Sequence, residues 1–98
     1  MADVRIGEEA EAEYAAALAW YHARSTRAAE RFEAAFAHAL LRIGESPDRF
    51  PSCDEEGYRY YVLERYPYLL IYRIKEDTVQ VVAVAHARRK PGYWTRRN

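Results

Sequence analysis

The alternation of apolar and polar positions changes character along the chain, and each change marks an element. Val4 and Ile6 alternate with Asp3 and Arg5 and stop at Gly7, the period-two pattern of a short strand. Glu8, Glu9 and Glu11 then crowd a first helical turn, where carboxylates complement the positive end of the macrodipole. A helix is expected over about 8 to 24, with Ala10, Tyr14, Ala17, Leu18 and Tyr21 as its apolar stripe and Trp20 on the flank. Ser25 and Thr26 break the pattern and offer an N-cap. A second helix, about 27 to 44, carries a wider stripe of Ala28, Phe32, Ala35, Phe36, Ala39, Leu40 and Ile43, with Gly44 and Pro47 as stop signals. So short a link between the helices implies an antiparallel hairpin.

From Ser46 to Gly57 the periodicity disappears and Pro47, Pro51 and Gly57 gather, which predicts a loop. Beyond it the chain reads as strand. Tyr58 to Glu64, Tyr68 to Lys75 and Thr78 to His86 are rich in Tyr, Val, Leu and Ile and are separated by turn signals at Pro67 and at Glu76 and Asp77. Turns this short make an antiparallel meander. The predicted fold is therefore α+β: an N-terminal strand and an antiparallel helical hairpin packed on one face of a sheet completed by a three-stranded antiparallel meander.

A two-residue turn at Glu76 and Asp77 sets a register in which Lys75 faces Thr78, Arg73 faces Gln80, Ile71 faces Val82 and Leu69 faces Val84. Those pairs share one sheet face, which His86 and Arg88 continue. The other face holds Tyr68, Leu70, Tyr72 and Ile74 across from Ala85, Ala83, Val81 and Val79, and its small alanines suit close approach of a helix. With the helices there, the face of Arg73, Gln80 and His86 is left as an apolar patch with a basic rim, the usual mark of a binding surface.

Ninety-eight residues, half of them hydrophobic, suffice for one domain, taken as residues 1–98, and exclude a second module. The longest apolar run, Val81 to Ala85, is far too short to span a membrane. With a single cysteine, Cys53, the chain makes no internal disulfide, so a cytoplasmic protein is expected. One cysteine and the scattered His22, His38 and His86 make no zinc spacing, and the isolated glycines make no phosphate loop; no metal or cofactor is expected.

Charge adds a further asymmetry. The formal net charge is +0, yet residues 1–57 carry six basic and twelve acidic side chains while residues 58–98 carry nine basic and three acidic. The string AVAHARRKPGYWTRRN concentrates His86, Arg88, Arg89, Lys90, Tyr93, Trp94, Arg96 and Arg97 at and beyond the last strand. Cationic forks beside aromatic faces suit a nucleic acid or an acidic protein segment. The competing reading has Tyr93 and Trp94 folding back to pin the tail against the core. Arg59 and Arg65 stand at the two ends of the first meander strand with equal parity, so they are expected on one face. Glu64, Glu76 and Asp77 are the only acids near the tail in sequence, too few to pair its arginines internally, so Arg88, Arg89, Arg96 and Arg97 should face a partner.

The order of strand, helical hairpin, loop with Phe50-Pro51, then RYYVLERYPYLLIYRI and VVAVAHARRKPGYW resembles, over essentially the whole chain, the toxins of the RelE/ParE superfamily. The most specific pieces are Arg59, Leu63, Pro67, Tyr68 and Tyr72, and His86, Arg88, Arg89 and Tyr93. The resemblance implies the toxin of a bacterial type II toxin-antitoxin, or plasmid stabilisation, system, which arrests growth until a cognate antitoxin binds it in a toxin-antitoxin hetero-oligomer.

Two mechanisms divide the superfamily: inhibition of DNA gyrase by binding, and ribosome-dependent cleavage of mRNA. For an endoribonuclease of the second kind, Tyr93 would match the tyrosine that deprotonates the ribose 2′-hydroxyl, Arg88 or His86 would serve as phosphate clamp or acid, and Arg65 would be the arginine nearest the family's strand position, one residue late and on the opposite face. The ribonuclease members, however, place an arginine directly after the strand leucine, where this chain has Glu64, and a carboxylate there repels the scissile phosphate. The ParE-like branch needs no catalytic set. In it Arg59, Arg73, Arg89, Trp94, Arg96 and Arg97 would contact target or antitoxin.

Overall fold

The computed structural model describes residues 1–54 and 56–97; Glu55 and Asn98 lie outside the described residues. Elements follow in the order β1 (Asp3–Ile6), α1 (Glu8–His22), α2 (Thr26–Glu45), β2 (Arg59–Val62), β3 (Tyr68–Lys75) and β4 (Thr78–His86). The strands form one mixed sheet in the order β1-β4-β3-β2. β2, β3 and β4 are the expected antiparallel meander, and β1 runs parallel to β4 with Val4 beside Val79 and Ile6 beside Val81.

Local chemistry accounts for the helix boundaries. Ser25 is in extended conformation and its hydroxyl accepts the Ala28 N–H at 2.9 Å, so it caps α2. Gly44 does not stop α2, which runs on to Glu45. It is a packing residue instead: a Cβ there would stand 3.2 Å from Val4 Cγ2, and its carbonyl accepts the Ala2 N–H at 2.9 Å. The missing side chain lets the start of β1 cross the end of α2 closely.

The hairpin covers one face of the sheet. Phe32, fully buried, is the centre of an aromatic cluster with ring centroids of Tyr21 at 4.7 Å, Tyr66 at 5.3 Å, Tyr68 at 5.7 Å and Tyr14 at 5.8 Å. Leu70, Tyr72, Val79 and Val81 line the sheet side of this core, and the Tyr72 hydroxyl donates to the Pro47 carbonyl.

The register departs from expectation at one point. Lys75–Thr78 and Arg73–Gln80 pair as expected, but β4 then carries one extra residue, Val82, so Ile71 lies opposite Ala83 and Leu69 opposite Ala85. This β-bulge inverts the parity of everything beyond it. Val84 joins the core under the helices, and Ala83 and Ala85 move to the opposite face. His86 now pairs with Tyr68 on the helix side, edge-on to its ring at 5.2 Å.

The opposite face is not left uncovered. Trp94 folds back onto it and packs with Tyr58, Ile71, Val82, Ala83 and Ala85, with Tyr93 and Leu69 at the margin. The fold-back of the tail aromatics is thus the arrangement adopted, because the apolar patch and two large rings lie within reach of each other on one short chain. The Tyr58 hydroxyl donates to the Thr95 carbonyl at 3.3 Å and fastens the cover.

Candidate interaction site at the C-terminal tail

β4 outruns its neighbour. β1 pairs only with Thr78 to Val81, so on that side the backbone of β4 is unpaired by any strand from Val82 onward. Buried peptide groups need partners. Glu13 of α1 provides an acceptor, its Oε1 taking the Val84 N–H at 3.0 Å. Arg97 provides a donor, its guanidinium reaching the Val82 carbonyl at 3.1 Å and the same Glu13 oxygen at 2.8 Å. A glutamate–arginine pair therefore stands in for the peptide of a strand that has ended, and in doing so ties the tail to α1.

The second carboxylate oxygen gathers the rest. The Tyr93 hydroxyl donates to Glu13 Oε2 at 2.9 Å, and the Arg89 guanidinium lies 3.5 Å from it. Arg89 also stacks on the Tyr93 ring at 3.6 Å from the centroid, with Arg97 at 4.9 Å. Burial, then the hydrogen bond to Glu13 and its negative charge, push the Tyr93 phenol up to about 12 against the opposing pull of Arg89 and Arg97. At neutral pH Tyr93 is a donor, and its surroundings oppose phenolate formation.

The expected site residues separate into groups. His86, Arg88 and Arg89 share the turn that ends β4, where the Arg88 N–H donates to His86 Nδ1 at 3.1 Å and leaves the ring proton of neutral imidazole on Nε2. Arg88 and Arg96 are exposed. Contrary to the expectation that internal acids are too few, Arg97 is internally paired, because α1, remote in sequence, brings Glu13 to it. Arg89 shares that carboxylate while its side chain stays half exposed.

Arg59, Arg65 and Arg73 do not join this cluster. Arg59 donates to the Phe50 carbonyl at 2.6 Å and anchors the loop before β2. Arg65 does not share its face, because β2 ends at Val62 and Arg65 sits in the following turn in left-handed conformation at φ 73°. Arg73 lies near the Tyr58 ring at 5.8 Å, in a cross-strand row with Gln80 and Arg5. Among the described residues no His, Cys, Asp or Glu side chains gather as they would around a metal ion.

Glu13 was not foreseen as a functional residue, although its spacing held the signal. It falls three after Ala10 and four before Ala17, on the buried stripe of α1, where an unpaired carboxylate would be costly.

The family model described as the ParE toxin of the type II toxin-antitoxin system parDE matches residues 4–91. The chain belongs to this family. Membership places it in the RelE/ParE superfamily and makes it the toxin of a type II system. A solved structure described as the chromosomal ParDE TA system from P. aeruginosa has a chain that superposes with a TM-score of 0.75 at 19% identity, covering 88% of this chain and 96% of that one. At that identity the likeness shows a shared fold. No protein of curated function matches the chain in sequence. The ParE match takes in His86, Arg88 and Arg89 and ends at Pro91, so Tyr93, Trp94 and Arg97, which clasp Glu13 and cover the sheet, follow the matched segment.

Proposed function

We propose that this ParE toxin, acting in the cytoplasm as one domain over residues 1–98, arrests growth by binding DNA gyrase, and that a cognate antitoxin neutralises it in a hetero-oligomer. The observation that carries the binding mechanism is the state of Tyr93. A general base for ribose activation must accept a proton near neutral pH, whereas this hydroxyl is pushed up to about 12 and donates to Glu13. Glu64 is exposed beside the turn and adds negative charge where phosphate cleavage would need cations. The exposed Arg88 and Arg96 and the half-exposed Arg89 offer a contact surface that requires no chemistry.

Purified toxin is tested in two assays: gyrase supercoiling, and primer extension on translated message with ribosomes. Blocked supercoiling with no message cleavage is the expected result. Ribosome-dependent cleavage that Tyr93→Phe lowers by about 100-fold or more would overturn the reading in favour of an mRNA interferase. Growth arrest on expression alone, relieved by the neighbouring gene of the same operon, tests the antitoxin part of the proposal separately.

A further inference from the structure

The sheet has open edge along β2, along β4 beyond Val82 and along β1, and the fold deals with them differently. Against β2 lies the loop of Pro51 to Cys53: the Tyr60 N–H donates to the Pro51 carbonyl at 3.1 Å and the Cys53 N–H to the Tyr58 carbonyl at 2.9 Å, which leaves only the Val62 end uncovered. Along β4, Glu13 and Arg97 take the place of a strand. β1 has no such cover. The Gly7 N–H donates inward to the Val81 carbonyl at 2.9 Å, and peptide groups alternate in direction along a strand, so the N–H and C=O of Val4 and Ile6 point away from β4. Among the described residues no backbone group answers them.

An open edge is a template for another strand, and charged side chains ordinarily blunt it. On β1 the charges do the opposite towards one partner. Val4 and Ile6 turn to the helix side and pack against the core, while Asp3 and Arg5 stand exposed on the other face, bonded only to each other at 3.0 Å. The order Asp-Val-Arg is self-complementary when inverted. In an antiparallel pair centred on Val4, Asp3 lies opposite Arg5 of a second copy and Arg5 opposite its Asp3. Centring on Arg5 or on Asp3 sets that residue against its own copy, and a parallel pairing in register sets like charges together at both positions. A slip of one residue turns the side chains to the wrong faces.

The register that matches the charges also uses the open backbone. Val4 exchanges both of its hydrogen bonds with Val4 of the second copy, and the Ile6 N–H meets the Ala2 carbonyl opposite. The Ala2 N–H is already given to the Gly44 carbonyl at 2.9 Å, so no further bond comes from it. Asp3 and Arg5 then fall at the non-hydrogen-bonded positions, where facing side chains approach most closely. With a formal net charge of +0, two copies meet without long-range repulsion.

We propose that the outer edge of β1 is an interface between two copies of this chain, paired antiparallel about a two-fold axis at Val4, so that the two four-stranded sheets become one. A second copy is the occupant because it alone brings the inverse of the Asp-Val-Arg pattern as a matter of symmetry; a segment of single charge gains at one of the two side chains and is repelled by the other. Four residues a side make a small interface, so the association is weak, with a dissociation constant on the order of 100 µM. This interface is independent of the gyrase and antitoxin readings.

Sedimentation equilibrium of the purified full-length toxin tests it. The mass should rise from 11.5 kDa toward twice that value between about 10 µM and about 1 mM protein. Asp3→Arg and Arg5→Asp should each weaken self-association by about tenfold or more, because each sets like charges opposite one another at both pairs. Both positions are exposed, so circular dichroism should be unchanged. Mixed in equal amounts, the two variants should form a dimer with each other, every arginine of one facing an aspartate of the other, and the double variant carrying both substitutions should self-associate as the native chain does. A native chain that stays monomeric at about 1 mM, single variants that dimerise as well as native, or a mixture that associates no better than its components overturns the proposal. A monomeric toxin whose Arg5→Asp variant instead loses affinity for antitoxin or gyrase assigns the edge to that partner and overturns it too.

Discussion

The two faces of the sheet are covered in different ways. Under the helices, Phe32 meets four aromatic rings, and Leu70, Tyr72, Val79 and Val81 extend the contact along both central strands. Many contacts of similar kind share that load. On the other face the cover is a run of turns bearing Trp94, and apart from the Tyr58–Thr95 hydrogen bond and the Arg97 bond to the Val82 carbonyl its polar attachments meet at a single carboxylate. Burial of area yields gradually to a perturbation. A node at which Val84, Tyr93, Arg97 and Arg89 meet is lost as a unit, because the buried and partly buried groups left behind need replacements.

The comparison is broken most severely from the helix side. Phe32→Ala removes the centre of the aromatic cluster and should cost about 3–5 kcal/mol, a large share of the ~5–15 kcal/mol that holds a small domain together. Urea unfolding should show the midpoint fall for all probes at once. Glu13→Ala should act on the tail and on the β4 edge at Val84, leaving the helix-side packing in place. It strands the Arg97 guanidinium and the Val84 N–H, at about 2–3 kcal/mol. Amide exchange at Val84 and solvent exposure of Trp94 should rise while the helical circular dichroism persists. A variant in which both faces loosen together would show that the sheet is one cooperative unit and the contrast drawn here is false.

Sequence patterning made the helical face legible and the tail face partly so, for a physical reason. The stripe of Phe32, Phe36, Ala39 and Ile43 and the capping Ser25 depend on neighbours within a few positions, and all appear where periodicity predicts. The bulge at Val82 falls just where the pairing of β1 with β4 ends, and no local pattern in β4 records it. One extra residue exchanged the sides of Val84 and Ala83 and placed His86 beside Tyr68. The pairing of Arg97 depends on Glu13, brought in by the fold from the opposite end of the chain. Counting acids near the tail in sequence therefore missed the one that matters. Recognition of the family, by contrast, needed no register, since the order of elements and the PYLLIYRI and AHARR strings carried it.

A smaller effect sharpens the comparison, because each face holds one tyrosine whose phenol is pushed up to about 12: Tyr72 under the helices, mainly by burial, and Tyr93 in the tail, by burial and Glu13. A folded value above the unfolded 10.0 means that the stabilisation is fully present below pH 10 and is lost as pH rises through about 12. Stability should therefore fall between those limits. Tyr93→Phe should cost on the order of 1 kcal/mol at neutral pH and remove only the tail's part of the alkaline loss, leaving that of Tyr72. Denaturant titrations at pH 9 and pH 11 on both proteins would check this; an unaltered pH dependence in Tyr93→Phe would mean that the tail hydroxyl is not coupled to folding.

The smallest expected change in stability separates the tail's two kinds of arginine. Arg97 and Arg89 contact Glu13, so replacing either disturbs the node as well as the surface. Arg88 and Arg96 are exposed and make no ion pair among the described residues, so they probe the surface alone. Joint replacement of Arg88 and Arg96 by alanine should move the unfolding free energy by no more than about 0.5 kcal/mol. If the tail is the contact surface for gyrase, the same variant should lose inhibition of supercoiling by about tenfold or more, since charges that face a partner act on association while leaving the fold intact. Measured side by side, Arg97→Ala should lower both stability and inhibition. Full inhibition by the Arg88 and Arg96 variant would move the target surface away from the tail and leave the Glu13 node with a purely architectural role.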